Sequence, residues 1–275
     1  MSKVVLITGC STGIGRDLAQ RLTQAGCRVA ATARKAATLE DLSAALKISL
    51  DVTQPDSVNR AVTQTVETFG CIDVLVNNAG YAQRGALEEV SDAQVQQMFD
   101  VNVFGVLRMI RAVAPHMREQ RSGRIINISS LAGKLSTPVN GTYSATKFAV
   151  EALSDALRLE LAPFGVQVIV VEPGAIKTQF DETAQVHAQA ILTNPDSPYR
   201  PLYKLSDQFS ASMQHQAAEP QVVSQVIQQA IEAPKPKARY HANIPFSAEL
   251  VFHLGDSVWD MVLRSMFKAG PSNTN

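Results

Sequence analysis

The run Val4-Val5-Leu6-Ile7-Thr8-Gly9-Cys10-Ser11-Thr12-Gly13-Ile14-Gly15, followed by a helix-like stretch from Arg16 to Ala25, decides how the rest of the chain is read. Four consecutive apolar residues, three of them β-branched, read as a buried strand. A glycine loop therefore joins a strand to the start of a helix. Glycine permits a tight reversal there and lets backbone N–H groups approach an anion, and the helix N-terminus favours the negative charge. Such a loop suits the pyrophosphate of a dinucleotide. Its spacing, Gly-x3-Gly-x-Gly at Gly9, Gly13 and Gly15, differs from the commoner Gly-x-Gly-x-x-Gly, so the three glycines alone leave a plain turn open.

Outward from this loop, short apolar runs recur at Val29–Ala33, Val74–Val76, Arg124–Ile128 and Val166–Val171. Between them lie stretches with helical spacing, Val58–Phe69, Ala93–Met117 and Tyr143–Leu161. Alternating strands and helices predict an α/β fold, a doubly wound parallel sheet of Rossmann type, and no linker divides the first 180 residues. One domain over residues 1–275 is expected. After Thr178 the rhythm stops. The segment 179–218 carries Pro195, Pro198 and Pro201 with scattered aromatics and no clear strand, and a long irregular segment in a compact domain reads as a functional lid. The expected architecture is thus a single domain with a helical substrate lid and a C-terminal extension over 241–275.

The 275 residues are 45% hydrophobic and 18% charged, enough for a well-developed core and unlike a disordered chain. Twenty-five basic and 25 acidic residues cancel, so no net field draws the protein to nucleic acid or an anionic membrane. Cys10, Cys27 and Cys71 are odd in number and lack the paired spacing of a zinc site or a redox CxxC. No metal is expected, and a reducing, cytoplasmic setting is. Val4–Ile7 is too short for a signal-peptide core or a membrane span.

Tyr143 and Lys147 lie four apart in a strongly helical stretch, so both project from one face, one turn apart. A tyrosine titrates near ~10, and an adjacent cation lowers that value, which makes the pair an acid/base unit. A tyrosine packed on a lysine stem has the same spacing. In the preceding helical stretch, Val95, Phe99, Val106, Ile110, Val113 and Met117 form an apolar stripe with Asn102 inside it. An amide on a buried face must find partners, as a structural core asparagine or in a site.

Thr8–Gly15 (TGCSTGIG), together with Ser130 thirteen residues before Tyr143-x3-Lys147, resembles the short-chain dehydrogenase/reductase family. Nearly the whole chain resembles its retinol-dehydrogenase and 17β-hydroxysteroid-dehydrogenase-like branch and bacterial aldehyde reductases. The resemblance implies a catalytic set of Asn102, Ser130, Tyr143 and Lys147, with Ser130 and Tyr143 also meeting the substrate. Ser129 is the rival serine, and the thirteen-residue separation favours Ser130. The implied cofactor contacts are Gly9, Ser11, Thr12, Gly13, Ile14, Gly15, Asp51, Val52, Asn78, Ala79, Gly80, Tyr143, Lys147, Pro173, Gly174, Ile176 and Thr178. Asp51 and Thr178 could equally be helix caps, and Asn77-Asn78 turn formers. Where an NAD-selective enzyme would carry an acidic residue, this chain has Ala33, followed by Arg34, which can pair with a 2′-phosphate; NADP(H) is therefore expected.

The lid is rich in Phe180, Tyr199, Leu202, Tyr203 and Phe209, which favours a small hydrophobic carbonyl or alcohol as substrate. The tail Ile244–Phe267 is too apolar for a solvated helix and too often broken by acids for a membrane span. It packs over the cleft, contacts a subunit or meets a membrane surface. Ala145, Ala149, Ala152 and Ala156 form a small-residue stripe beside Val150, Leu153, Leu157 and Leu161. Both stripes need cover. Family members pair this helix with the Asn102 helix across a two-fold axis, so a homodimer or homotetramer is expected. A nucleotide-sensing regulator without turnover is the competing reading.

Overall fold

The computed structural model describes residues 2–244 and 256–267. Among them, seven strands form one parallel sheet in the order β3-β2-β1-β4-β5-β6-β7. These are β1 (Val4–Ile7), β2 (Arg28–Ala33), β3 (Leu46–Ser49), β4 (Val74–Asn77), β5 (Gly123–Ile128), β6 (Val166–Pro173) and β7 (Arg239–Ala242). Period-2 alternation sends successive side chains to opposite faces. Val5 and Ile7 pack under α1 (Gly13–Gln24) and α8 (Pro220–Glu232), while Leu6 joins Leu75, Ile125 and Val168 under α2 (Pro55–Phe69) and α4 (Gly105–Glu119). Each such side chain stabilises the fold by roughly 1.5–3 kcal/mol through burial.

The sheet runs outward from β1 to β3 on one side and resumes from β4 on the other. The helices that follow β1 and β4 lie on opposite faces of the sheet and leave a crevice at the strands' C-terminal ends, where open α/β sheets hold their ligands.

One expectation is corrected. The helix expected over Ala93–Met117 is α3 (Asp92–Phe99), a π turn at Asp100–Phe104, and α4. The wide turn interrupts the apolar stripe: Val106, Ile110, Val113 and Met117 are buried, but Met98 rather than Val95 or Phe99 is the buried residue of α3. The lid is helical. It is α6 (Gln179–Leu192) and α7 (Arg200–His215), with Pro195 and Pro198 in the connection and Pro201 in the first turn of α7, where its missing N–H costs nothing. The two stripes of α5 (Gly141–Leu161) differ. Val150 and Leu161 are buried, whereas Ala145, Ala152 and Ala156 face outward in the single chain.

In the tail, Phe246, Leu250, Val251 and Leu254 lie outside the described residues. The helix Asp256–Met266 packs over the cleft: Trp259 Nε1 donates to Ser136 O at 3.2 Å, and the Phe267 ring meets that of Phe209 of α7 at a tilt, with ring centroids 5.8 Å apart. No helix among the described residues is long and apolar enough to cross a membrane.

Candidate active site

Tyr143 sits in the first turn of α5 and Lys147 one turn on. Lys147 is buried, its Nζ donates to Ile128 O at the end of β5 (2.9 Å), and it lies 5.8 Å from the centre of the Tyr143 ring. Burial lowers the lysine pKa to about 8, partly opposed by Glu151 one turn further along the helix. The strand that anchors Lys147 also delivers the serines. Ser129 is buried in packing against Gly133, where a Cβ would come within 2.6 Å of its Oγ. Ser130, pointing the other way, is half-exposed, and its Oγ accepts from Ala132 N (3.1 Å). With an acceptor lone pair so occupied, the hydroxyl can turn its proton outward to a carbonyl oxygen.

Asn102 lies in the π turn and is buried. Its Oδ1 accepts from Tyr81 N (3.0 Å), and its Nδ2 donates to Tyr81 O (2.8 Å) and Thr146 Oγ1 (3.1 Å). Thr146 donates to Tyr143 O (2.7 Å), so the amide ties the loop after β4 to the first turn of α5. Gly80 fits between them. A Cβ there would lie 3.1 Å from Asn102 Oδ1 and 3.9 Å from Lys147 Nζ.

The glycine loop is shaped by close approach. Gly9 and Gly13 have φ of +75° and +57°, and a Cβ on Gly15 would lie 2.5 Å from Asn78 Nδ2 and closer still to Gly9 O. Asn78 Nδ2 donates to Thr8 O and Gly9 O (2.9 and 3.0 Å), while Thr8 Oγ1 accepts from Asn78 N and Ala79 N. The loops after β1 and β4 are thus one unit. Helix α1 begins at Thr12 with no side-chain cap and no acidic residue in its first turn, so its leading N–H groups and dipole point at the crevice. That cradle fits a pyrophosphate. Cys10 beneath it is buried, with its thiol pushed up to about 12 by burial, and is no nucleophile.

With this geometry in hand, the short chain dehydrogenase family model matches residues 3–189. The chain belongs to the short chain dehydrogenase family. It is 43% identical over 184 residues to a 3-ketodihydrosphingosine reductase of Bacteroides thetaiotaomicron, covering 67% of this chain and 68% of that one. It is 35% identical over 268 residues to the 17-beta-hydroxysteroid dehydrogenase type 1 of Homo sapiens, covering 92% and 81%. A short-chain dehydrogenase structure from Streptomyces avermitilis superposes with a TM-score of 0.80 at 37% identity, over 96% of this chain and 99% of that one. Other solved relatives carry either cofactor. One from Burkholderia phymatum holds NAD (27% identical, TM-score 0.78, 95% of each chain), and a serine dehydrogenase holds NADP+ (28%, 0.74, 86% and 93%).

For a dehydrogenase of this family, the outer site residues divide. Arg34 lies exposed at the end of β2. Asp51 Oδ1 accepts from Thr53 N and Oγ1 (2.9 and 2.8 Å) in a tight turn, and the cap position of α2 belongs to Gln54 instead. Val52 is buried against Gly105. Beyond β6, Ile176 bridges to Ala218, and Gly174 lies so close to Asn243 O that a side chain would collide. Thr178 caps α6 by accepting from Phe180 N (3.2 Å), and its methyl group would lie 3.2 Å from a Cβ on Gly13. The capping role and the place beside the glycine loop coexist.

Sequence reasoning missed several neighbours. Phe180 opens the lid with its ring 5.6 Å from that of Tyr143. Arg16 joins the glycine loop to the segment after β2, pairing with Asp41 (2.5 Å) and donating to Thr38 O (3.1 Å). Arg84 is buried and donates to Ser206 (2.9 Å) and Asp207 (3.1 Å) of α7, while Tyr203 of the same helix accepts from Ala86 N and donates to Glu89. These bonds latch the lid to the loop after β4. The signal was a lone charge, Arg84, inside a largely apolar stretch.

Proposed function

We propose that this dehydrogenase interconverts a hydrophobic aldehyde or ketone and its alcohol with NADP(H), and that Tyr143 transfers the proton. The observation that carries the reading is the set at the head of α5: Tyr143 one turn from a buried lysine that is hydrogen-bonded to Ile128 O, beside the half-exposed Ser130. Bound NADPH supplies the hydride to the carbonyl carbon. Ser130 donates a hydrogen bond to the carbonyl oxygen, and Tyr143 delivers the proton to it. The Lys147 ammonium stabilises the negative charge left on the phenol oxygen and orients the nicotinamide ribose. Lys147 then returns a proton to the phenolate, and Asn102, which holds the loop after β4 against α5, positions a water through which the lysine is reprotonated.

The cradle of Gly9, Ser11, Thr12, Gly13, Ile14 and Gly15 would hold the pyrophosphate, with Asp51 and Val52 toward the adenine and Asn78, Ala79 and Gly80 along the middle. Pro173, Gly174, Ile176 and Thr178 line the nicotinamide side. An exposed Arg34 after the small Ala33 supports the phosphorylated cofactor. A largely apolar cleft of about 520 Å³, lined by Leu87, Pro138, Val139, Leu202 and Leu263 among others, supports an apolar substrate held beneath α7 and the helix Asp256–Met266. The names of the sphingoid and steroid relatives agree in that chemistry.

The outward alanine stripe of α5, flanked by exposed Phe148 and Leu159 and by Phe104 of the π turn, supports a two-fold pairing of chains. Light scattering at micromolar concentration is expected to give at least a dimer mass. Three free thiols fit a reducing, cytoplasmic setting.

The deciding experiment mixes the protein with NADPH, and separately NADH, against aliphatic, aromatic, retinoid and steroid carbonyls and follows nicotinamide absorbance. NADPH-selective turnover lost in Tyr143→Phe is expected. Tight NADPH binding with no turnover on any carbonyl would point instead to a sensor.

A further inference from the structure

One layer behind the catalytic groups lies a buried ionic cluster that the chemistry above does not use. Glu172, at the end of β6, is fully buried, and Glu151, one turn beyond Lys147, nearly so. Two carboxylates this deep require cations. Lys134 Nζ lies 3.1 Å from Glu151 and 3.7 Å from Glu172. Arg239 of β7 lies 3.0 and 3.3 Å from the same two carboxylates and also pairs with Asp155, which is bound to Arg158. His241 Nε2 is 3.1 Å from Glu172. Burial, and then Glu151, pushes the Glu172 carboxyl above the usual glutamate range, against the pull of Lys134, His241 and Arg239.

These partners differ in what they are attached to. Arg239 and His241 belong to the edge strand β7, whereas Lys134 belongs to the compact turn headed by Ser130. Within that turn Gly133 N donates to Ser130 O (2.8 Å) and Lys134 N to Leu131 O (3.0 Å). The turn also presses on the catalytic helix, since a Cβ on Gly133 would lie 3.2 Å from Glu151 Cγ and 3.3 Å from Lys147 O. Removing Lys134 leaves Arg239 on both carboxylates, so the pair keeps partial compensation, but nothing ionic then holds the serine's turn.

We propose that Lys134 is a positioning residue for Ser130: its ammonium, set against Glu151 of α5 and Glu172 of β6, clamps the turn that carries the serine hydroxyl at a fixed place relative to Tyr143. The inference rests on the carbonyl-reducing reading above. A misplacement of about 1 Å in a catalytic constellation costs on the order of a hundredfold in rate. Lys134→Met therefore lowers kcat tenfold or more while the NADPH dissociation constant, carried mainly by the glycine loop and Arg34, stays within about twofold. Lys134→Arg, which retains the charge, keeps kcat within about threefold of the parent.

The test is a double-mutant cycle with Ser130→Ala, using the carbonyl that the parent reduces best, with melting temperature read alongside. If Lys134 acts through the serine, Lys134→Met lowers kcat tenfold in the parent and less than twofold in the Ser130→Ala background, whatever it does to the melting temperature. An equal loss in both backgrounds, or unchanged kcat in Lys134→Met, overturns the proposal. Should that variant fail to fold, Lys134→Gln, uncharged but still a hydrogen-bond donor, enters the same cycle with the same criteria. A parent that turns over no carbonyl overturns the underlying reading instead, so the two failures are told apart by the parent alone.

Discussion

Substituting Gly15 by alanine isolates the cofactor cradle from ordinary helix stability. Gly15 is in the first turn of α1, where alanine is favoured over glycine by about 1 kcal/mol if there is room. There is none. The added Cβ would stand 2.5 Å from Asn78 Nδ2 where ordinary contact begins at 3.4 Å, a shortfall of about 0.9 Å, and it would also collide with the rigid Gly9 carbonyl. Neither neighbour can yield cheaply, since Asn78 is fixed by bonds to Thr8 O and Gly9 O. Overpacking of this kind costs roughly 1–3 kcal/mol and displaces α1 from β1. Gly15→Ala is expected to lose stability in urea melts and to bind NADPH at least tenfold more weakly by fluorescence titration. Gly26→Ala is the control: its φ of +83° strains any side chain, but nothing lies within 4 Å, so it costs about 1–2 kcal/mol of stability and leaves NADPH affinity unchanged. The reasoning is refuted if Gly15→Ala gains stability and binds NADPH as the parent does.

Three further outcomes are expected. Arg34→Ala removes a charge-assisted contact to the 2′-phosphate and raises KM for NADPH by about tenfold or more, with KM for NADH unchanged in steady-state kinetics. Lys147, lowered to about 8 by burial in the free protein, is largely protonated at pH 6.5 and half neutral near pH 8. Hydrogen bonds from its ammonium to the cofactor would draw a proton, so calorimetry in buffers of different ionisation enthalpy should find up to about half a proton taken up with NADPH near pH 8 and almost none at pH 6.5. Arg84→Met unlatches α7. Because the Asp207 side chain is 58% exposed and water can take over its solvation, the stability loss stays near 1–2 kcal/mol. The lid residues 193–218 become more open to proteolysis, and KM for the carbonyl rises while NADPH affinity holds.

What was legible in the sequence follows burial. Strands β1, β2, β4, β5 and β6 are covered on both faces and read as continuous apolar runs. Strand β3 shows no such run, because Leu-Lys-Ile-Ser at the sheet edge buries only Ile48. Strand β7, Arg-Tyr-His-Ala at the other edge, gave no signal for the same reason. Tyr143, Lys147 and the buried amide of Asn102 were readable because spacing on a helix fixes direction. Their partners were not: Tyr81 meets Asn102 through backbone atoms alone, and Glu151 and Glu172 meet across elements 21 positions apart. Within the helical lid, the three prolines marked only the connection, and of them only Pro201 lies within a helix.

The π turn at Asp100–Phe104 has a consequence for how this chain can change. Such a turn is an α-helix with one residue too many, and that extra residue sets the angular phase between everything before it and everything after it. Deleting a single residue there would let the helix close into regular turns and rotate Asn102 by about 100° relative to α4, since 3.6 residues make a full revolution. The amide would leave Tyr81 and Thr146 without any atom of the catalytic helix having been altered. Residue number in this stretch is thus more constrained than residue identity, so an inserted or lost codon here would silence the site where many substitutions would not.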